Sequence, residues 1–243
     1  MKFDVITLFP ELIEQACSHS IIKRAIENSI IEINAINPRD FSTDKHNKVD
    51  DTPYGGGAGM VLQCQPFLDA LESIEQQENS AKIILTPQGE QYNQKIAKEL
   101  SSFDQLTIIC GHYEGFDERI RTLSGAREIS IGDFVLTGGE YPALCILDSV
   151  TRLLPSALGK DESAEYDSHS DGLLEYPQYT KPRDYKGEKV PEVLLSGNHE
   201  KINKWRRLQQ FIRTKIKRPD LFEKFLKTQL SKEDMKIIKE NEL

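Results

Sequence analysis

Five segments hold residue types that folding alone does not require. Val49–Met60 (VDDTPYGGGAGM) places four glycines in five positions. Glycine admits positive φ and lets backbone approach a ligand closely. No Gly-Lys-Ser/Thr follows, so this is not a Walker loop, and Met60 stands where GxGxxG would end. On its own the segment reads as a mobile surface loop. Thr86-Pro87-Gln88-Gly89 follows the apolar run AKIIL, and Cys110–Arg119 (CGHYEGFDER) follows LTIIC. Ser130–Glu140 (SIGDFVLTGGE) follows a short β-like run. Each alone reads as a turn. Open α/β sheets bind ligands at the carboxyl ends of their strands, so three consecutive glycine-bearing loops there predict one shared cofactor pocket. The fifth segment joins Arg152 to Asp167. Arg152 follows Asp148 by four residues, which predicts an i,i+4 ion pair on a helix. Asp167 lies among serines and acids and reads as a solvated carboxylate.

Alternating strands and helices must position these loops. The pattern predicts strands over Lys2–Leu8, Ile30–Ala35, Ala81–Leu85, Leu106–Cys110 and Glu128–Ile131. It predicts helices to about Asn28, over 66–78, over Tyr92–Leu100 and over Gly139–Leu154. Apolar runs separated by helices imply a mostly parallel sheet covered on both faces. Pro142 falls in the first turn of the last helix, where a missing N–H costs nothing. Residues 156–172 (SALGKDESAEYDSHSDG) are polar and acidic, and mark a linker or a loop that orders on binding. Beyond them the chain reads as helical. Asn198 caps a helix whose apolar stripe is Ile202, Trp205, Leu208, Ile212 and Ile216. Pro219 begins another helix and Ser231 a third.

The 243 residues suit one large domain, or a medium domain with a small second one. No apolar run is long enough for a transmembrane helix, and the acidic amino-terminal stretch argues against a secretory signal. Cys17, Cys64, Cys110 and Cys145 make no CxxC pair, which argues against zinc and a disulfide scaffold and for a reducing compartment. These features predict a soluble, cytosolic protein. The net charge is -8. Residues 197–218 nevertheless hold eight Lys/Arg and one acid, a local +7 that leaves -15 for the remainder. A basic element on an acidic body is the footprint of a polyanion-binding surface, although a lone basic run also suits a solvated helix face.

Taken in order, nine blocks resemble the bacterial tRNA (guanine-N1)-methyltransferase family, TrmD. They are TLFPEL at 7–12, PRDF at 38–41, DDTPYGGGAGM at 50–60, TPQG at 86–89 and CGHYEGFDER at 110–119. IGDFVLTGGE at 131–140, DSVTRLLPSALG at 148–159, YDSHSDGLLEYPQYTKP at 166–182 and VPEVLLSGNHEKINKWRR at 190–207 complete the match. The resemblance implies a SPOUT-class α/β fold with a trefoil knot, plus a small carboxyl-terminal helical domain. Its expected boundaries are a knotted methyltransferase domain over 1–158, a flexible linker or lid over 159–172, and a helical tRNA-binding domain over 173–243. It implies methyl transfer from S-adenosylmethionine to N1 of guanine 37 in tRNA after guanine 36, by a cytoplasmic antiparallel homodimer whose sites use both chains.

Carried over by position, the resemblance puts the methyl donor against Leu85, Thr86, Pro87, Gly111, Tyr113, Glu114, Gly115, Ile131, Gly132, Asp133, Phe134, Val135, Leu136, Gly138 and Gly139. Asp167 matches the family's proposed general base and Arg152 its basic partner. Gly57 and Gly59 fall near the target guanine, and Ser163, Lys201, Arg206 and Arg207 on the tRNA side. Magnesium is implied as an accessory ion without a ligand cluster in the sequence. His112 stands where many members carry arginine, and Tyr166 and His169 also depart from the commoner residues. Two rival readings are a related enzyme acting on another RNA base and a catalytically silent RNA-binding module. The 54–60 loop and the 166–182 segment count against the first, and Asp167 against the second. A phosphate-binding NTPase fails for want of a Walker lysine.

Overall fold

The computed structural model describes residues 1–158, 167–228 and 230–243. The chain divides into two compact units, Met1–Asp161 and Glu162–Leu243.

The first unit begins with β1 (Lys2–Ile6), α1 (Pro10–Cys17), α2 (Ser20–Glu27) and β2 (Glu32–Ile36). A 3-10 turn at Pro38–Phe41 leads to a small antiparallel pair, β3 (Asp50–Asp51) and β4 (Val61–Leu62). Then follow α3 (Cys64–Glu72), β5 (Ser80–Gln91), α4 (Gln94–Leu100), β6 (Gln105–Cys110), α5 (Glu118–Ser124), β7 (Arg127–Ser130) and α6 (Glu140–Thr151). Five strands form one sheet in the order β2-β1-β6-β5-β7. All four pairings are parallel, as the buried apolar runs predict.

Every residue of β6 is buried. Its side chains alternate between two cores, as the two-residue strand period requires. Leu106, Ile108 and Cys110 join Ile83 and Leu85 beneath α1, α2, α4 and α6. Ile109 and Ile84 face the other way, toward Phe67 and Leu71 of α3 and Ile120 of α5.

This unit differs from the sequence reading in several places: β3, β4 and α5 form where no element is predicted. The first helix is two, broken at Ser18–His19, and Ser20 opens the second at a positive φ of 54°. Thr86–Gly89 is not a strand-to-helix turn. β5 continues to Gln91, with a break in register between Leu85 and Glu90. The bulge re-aims Thr86 and Pro87 while keeping the strand beside β7.

The second unit contains β8 (Asp184–Tyr185) paired antiparallel with β9 (Glu188–Lys189), then α7 (Glu192–Leu195), α8 (His199–Lys217), α9 (Pro219–Leu226) and α10 (Lys232–Glu240). The predicted caps form: Asn198 Oδ1 accepts from the Lys201 N–H at 3.0 Å, and Ser231 Oγ from that of Asp234 at 3.0 Å. The buried face of α8 is rotated from the predicted stripe. Ile202 is buried, but Gln210, Phe211 and Thr214 fill the interior and Ile216 is 74% exposed. Phe222 and Phe225 of α9 fold back to 6.4 and 5.7 Å from the Phe211 ring, and this packing selects the inward face. No helix among the described residues is long and apolar enough to cross a membrane.

Candidate functional site

At the bulge of β5 and the carboxyl ends of β6 and β7 the first unit opens into a cleft of about 240 Å³. The β5 bulge, the loop after Cys110 and the loop 131–139 line it together. Of the residues predicted for a cofactor, Leu85, Thr86, Pro87, Gly111, Tyr113, Glu114, Gly115, Ile131, Gly132, Phe134, Val135, Leu136, Gly138 and Gly139 all line this cleft. Asp133 does not line it and is exposed, because its loop turns that side chain to solvent.

The loops are stitched to one another. The Gly139 N–H donates to the Gly111 carbonyl at 2.8 Å, and His112 bridges to Gly138. A Cβ on Gly139 would sit 2.8 Å from the Cys110 Cα, so this crossing of two backbones admits only glycine. His112 packs edge-on against Phe9 and Tyr113, at 5.1 and 4.9 Å between ring centroids. Its buried Nδ1 has no hydrogen-bond partner among the described residues.

The glycine-rich loop is anchored at one end. Glu114 N–H donates to the Met60 carbonyl at 3.0 Å, and Leu62 N–H to the Gly115 carbonyl at 2.9 Å. Gly59, at φ +82°, lies where any Cβ would strike the Glu114 side chain. Tyr54 at the other end is fully exposed. The segment is thus a neighbour of the cleft through Gly59, rather than a detached surface loop.

Sequence reasoning missed the cleft's polar floor. Arg121 of α5 pairs with Glu118 at 3.3 Å and with Glu128, and its Nη2 donates to Thr86 Oγ1 at 3.3 Å. The side chain is 12% exposed. The alternation of Arg and Glu over 118–128 was the available signal, but on a helix it reads as surface charge until β7 brings Glu128 alongside. Gln88, Phe116, Ile129, Ser130, Thr137 and Pro142 also line the cleft. Burial pushes the Cys110 thiol well above its ordinary pKa, with the nearby Glu140 charge adding to the effect. Cys110 is therefore a neutral packing residue behind the Gly111 wall.

The other predicted residues lie elsewhere. Arg152 follows α6 as its cap, its N–H donating to the Asp148 carbonyl at 3.0 Å. Asp167 belongs to the second unit, where its carbonyl accepts from the Ser170 N–H at 3.1 Å. Ser163 and Tyr166 lie outside the described residues. Gly57 is in the outer part of the glycine-rich loop, where an added Cβ would make ordinary contact with Pro53 at 3.8 Å. Lys201 is exposed on the first turn of α8. The Arg206 guanidinium stacks 4.8 Å from the Tyr176 ring. Arg207 is enclosed: it donates to Asp234 at 2.8 and 3.0 Å and to Asp171 at 2.5 Å, and lies over Phe211 at 4.9 Å. No group of three metal-ligating side chains occurs among the described residues.

A parallel α/β sheet with a glycine-walled cleft at the ends of adjacent strands defines a ligand-binding α/β domain. The family model for the tRNA (Guanine-1)-methyltransferase TrmD matches residues 1–224. A tRNA (guanine-N(1)-)-methyltransferase of Staphylococcus carnosus (strain TM300) is 52% identical over 238 residues, covering 98% of this chain and 96% of that protein. Its counterpart in Staphylococcus aureus (strain JH9) is 53% identical over 238 residues, with the same coverage. That of Staphylococcus aureus (strain Newman) is 53% identical over 233 residues, covering 96% and 95%. The chain belongs to the TrmD family of tRNA (guanine-1)-methyltransferases, as its nine blocks suggested.

Proposed function

We propose that the protein transfers a methyl group from S-adenosylmethionine to N1 of guanine 37 in tRNA, where guanine 36 precedes it. The observation that carries this reading is the family match over 1–224 in a chain whose glycine-walled cleft gathers the expected donor loops. The cleft suits an adenosyl sulfonium, which leaves as the adenosyl thioether once its methyl is transferred. Leu85, Pro87 and Phe116 offer apolar walls for a flat base, Gly111 and Gly139 let Phe116 and the crossing backbones close up around it, and His112 Nδ1 is an unused polar atom. Held there, S-adenosylmethionine supplies a methyl already activated by a positive sulfur.

The remaining work falls to the chain. Neutral guanine carries a proton on N1, and the lone pair there is tied into the ring. Asp167 takes that proton as general base. As it leaves, negative charge spreads onto O6, and the Arg152 guanidinium stabilises it. Gly57 and Gly59 let the base approach, with Glu114 behind Gly59. Lys201, Arg206 and Ser163 serve the RNA backbone, while Arg207 acts within its unit by positioning α8 and α10. The reading includes a cytoplasmic homodimer in which each site is built from two chains. Magnesium belongs to the reading as an accessory ion assigned to no residue. So does the trefoil crossing, supported by the return of 138–139 onto 111–112.

The test is methyl transfer to tRNA transcripts bearing guanine or adenine at 37, with and without magnesium. Guanine-37 RNA should be modified and adenine-37 RNA should not. Asp167→Ala should lose about 10²–10⁴-fold in turnover with donor binding unchanged. An unmodified guanine-37 transcript would refute the reading, and RNA binding without any product would favour the silent module.

A further inference from the structure

The second unit carries a surface that methyl transfer leaves unused. β8 and β9 form a short hairpin, its turn closed by the Gly187 N–H donating to Asp184 Oδ1 at 3.0 Å. Beside it lies an open cleft of about 420 Å³ lined by Tyr179, Lys181, Pro182, Tyr185 and Lys189 among others. Tyr179 is 49% exposed and Tyr185 62% exposed. Tyr179 lies 6.5 Å from the Trp205 ring of α8, and Lys186 Nζ stands 5.4 Å from the centre of the Tyr185 ring. Residues 179–190 hold four Lys/Arg against two acids, in a chain of net charge -8. The basic α8 begins at His199, and Lys201 and Lys204 precede Trp205 on it.

We propose that this cleft is a stacking subsite for one unpaired base of the RNA, an inference that rests on the tRNA reading above. Aromatic faces stack on any base, and lysines beside them track the phosphates without reading sequence. The hairpin fixes the Tyr185 backbone by pairing, and its ring is left exposed and open to a base. The lysines around the rings favour RNA over a second copy of this chain, because lysine is depleted from the cores of protein interfaces. The base taken is one that the catalytic site does not hold, so the subsite fixes the register of the RNA rather than the methylated position.

Trp205 is the single tryptophan of the chain and reports on this cleft by its fluorescence. The probe is an anticodon stem-loop transcript titrated into the full chain. Tyr185→Leu should weaken binding about 5- to 100-fold and reduce the fluorescence change, whereas Tyr185→Phe should retain both. Binding of S-adenosylmethionine should be the same in all three proteins. Wild-type affinity in Tyr185→Leu, or equal loss in Tyr185→Phe, overturns the stacking subsite. So does a Tyr185→Leu effect on self-association in sedimentation with no effect on RNA affinity. If the parent protein methylates the transcript while Tyr185→Leu matches it in binding, only the subsite fails. If the parent protein neither binds nor methylates, the tRNA reading fails with it.

Discussion

The Thr7 hydroxyl donates to Glu140 Oε1 at 2.8 Å, joining residues 133 positions apart. It ties the end of β1 to the first residue of α6, where the helix dipole favours a negative charge. Glu140 is only 4% exposed, so the bond has little competition from water. Thr7→Val should cost about 1–3 kcal/mol, because a buried carboxylate oxygen loses its donor. Urea denaturation measures this, and an unchanged midpoint would show the bond to be dispensable.

Gly139 closes the cleft at the ends of β6 and β7 by backbone contact. Its φ of -83° is open to any residue, so the restriction is steric rather than conformational. Gly139→Ala places a methyl against the Cys110 and Gly111 backbone, and relief requires the two loops to separate. Overpacking of this kind costs about 1–3 kcal/mol. Calorimetric titration should show donor affinity falling while affinity for tRNA holds. Equal donor affinity in the variant would mean that the crossing does not shape the cleft.

Arg207 makes the second unit sensitive to acid. Burial is the largest influence on Asp234 and works to raise its pKa, but hydrogen bonds and charge from Arg207 outweigh it and leave the carboxyl below its ordinary value. Folded Asp234 therefore binds a proton less readily than unfolded Asp234. Its stabilising contribution is complete above the unfolded value of about 3.9 and fades as pH falls through the lower folded value. Arg207→Gln should remove that contribution, lowering stability at pH 7 with a smaller loss at pH 3. Thermal melts across this range would check it, and parallel curves for the two proteins would count against the clamp.

The four cysteines should differ sharply in reactivity. Burial pushes the Cys17 thiol up to about 11 and holds Cys110 well above its ordinary value. Both are neutral thiols at physiological pH, and the thiolate is the reactive form. Cys145 is exposed on α6. Maleimide labelling of the native protein, read by peptide mass spectrometry, should find Cys145 first and Cys110 last. Early modification of Cys110 would mean that its strand end opens in solution.

Much of this architecture was legible in the residues. AKIIL and LTIIC announced buried parallel strands because nothing in them needs solvent. Asn198, Pro219 and Ser231 marked helix starts because their backbone chemistry is local. The glycine-bearing segments 86–89, 110–119 and 130–140 pointed to one pocket because neighbouring parallel strands carry them side by side, although the first proved to be a bulge within β5. What stayed hidden depended on distant partners. Arg121 became the floor of the cleft only when β7 set Glu128 beside it. Arg207, counted among phosphate-facing cations, was claimed by Asp171 and Asp234. The inward face of α8 was chosen by Phe222 and Phe225 folding back from α9. Gly59 gained its neighbour when the 111–117 loop bonded to Met60. Hydrophobic period and capping act over a few residues and survive in any context, so the sequence alone determined them. The destination of a charged side chain depends on which partner reaches it first in a crowded interior, and only the tertiary structure decided that.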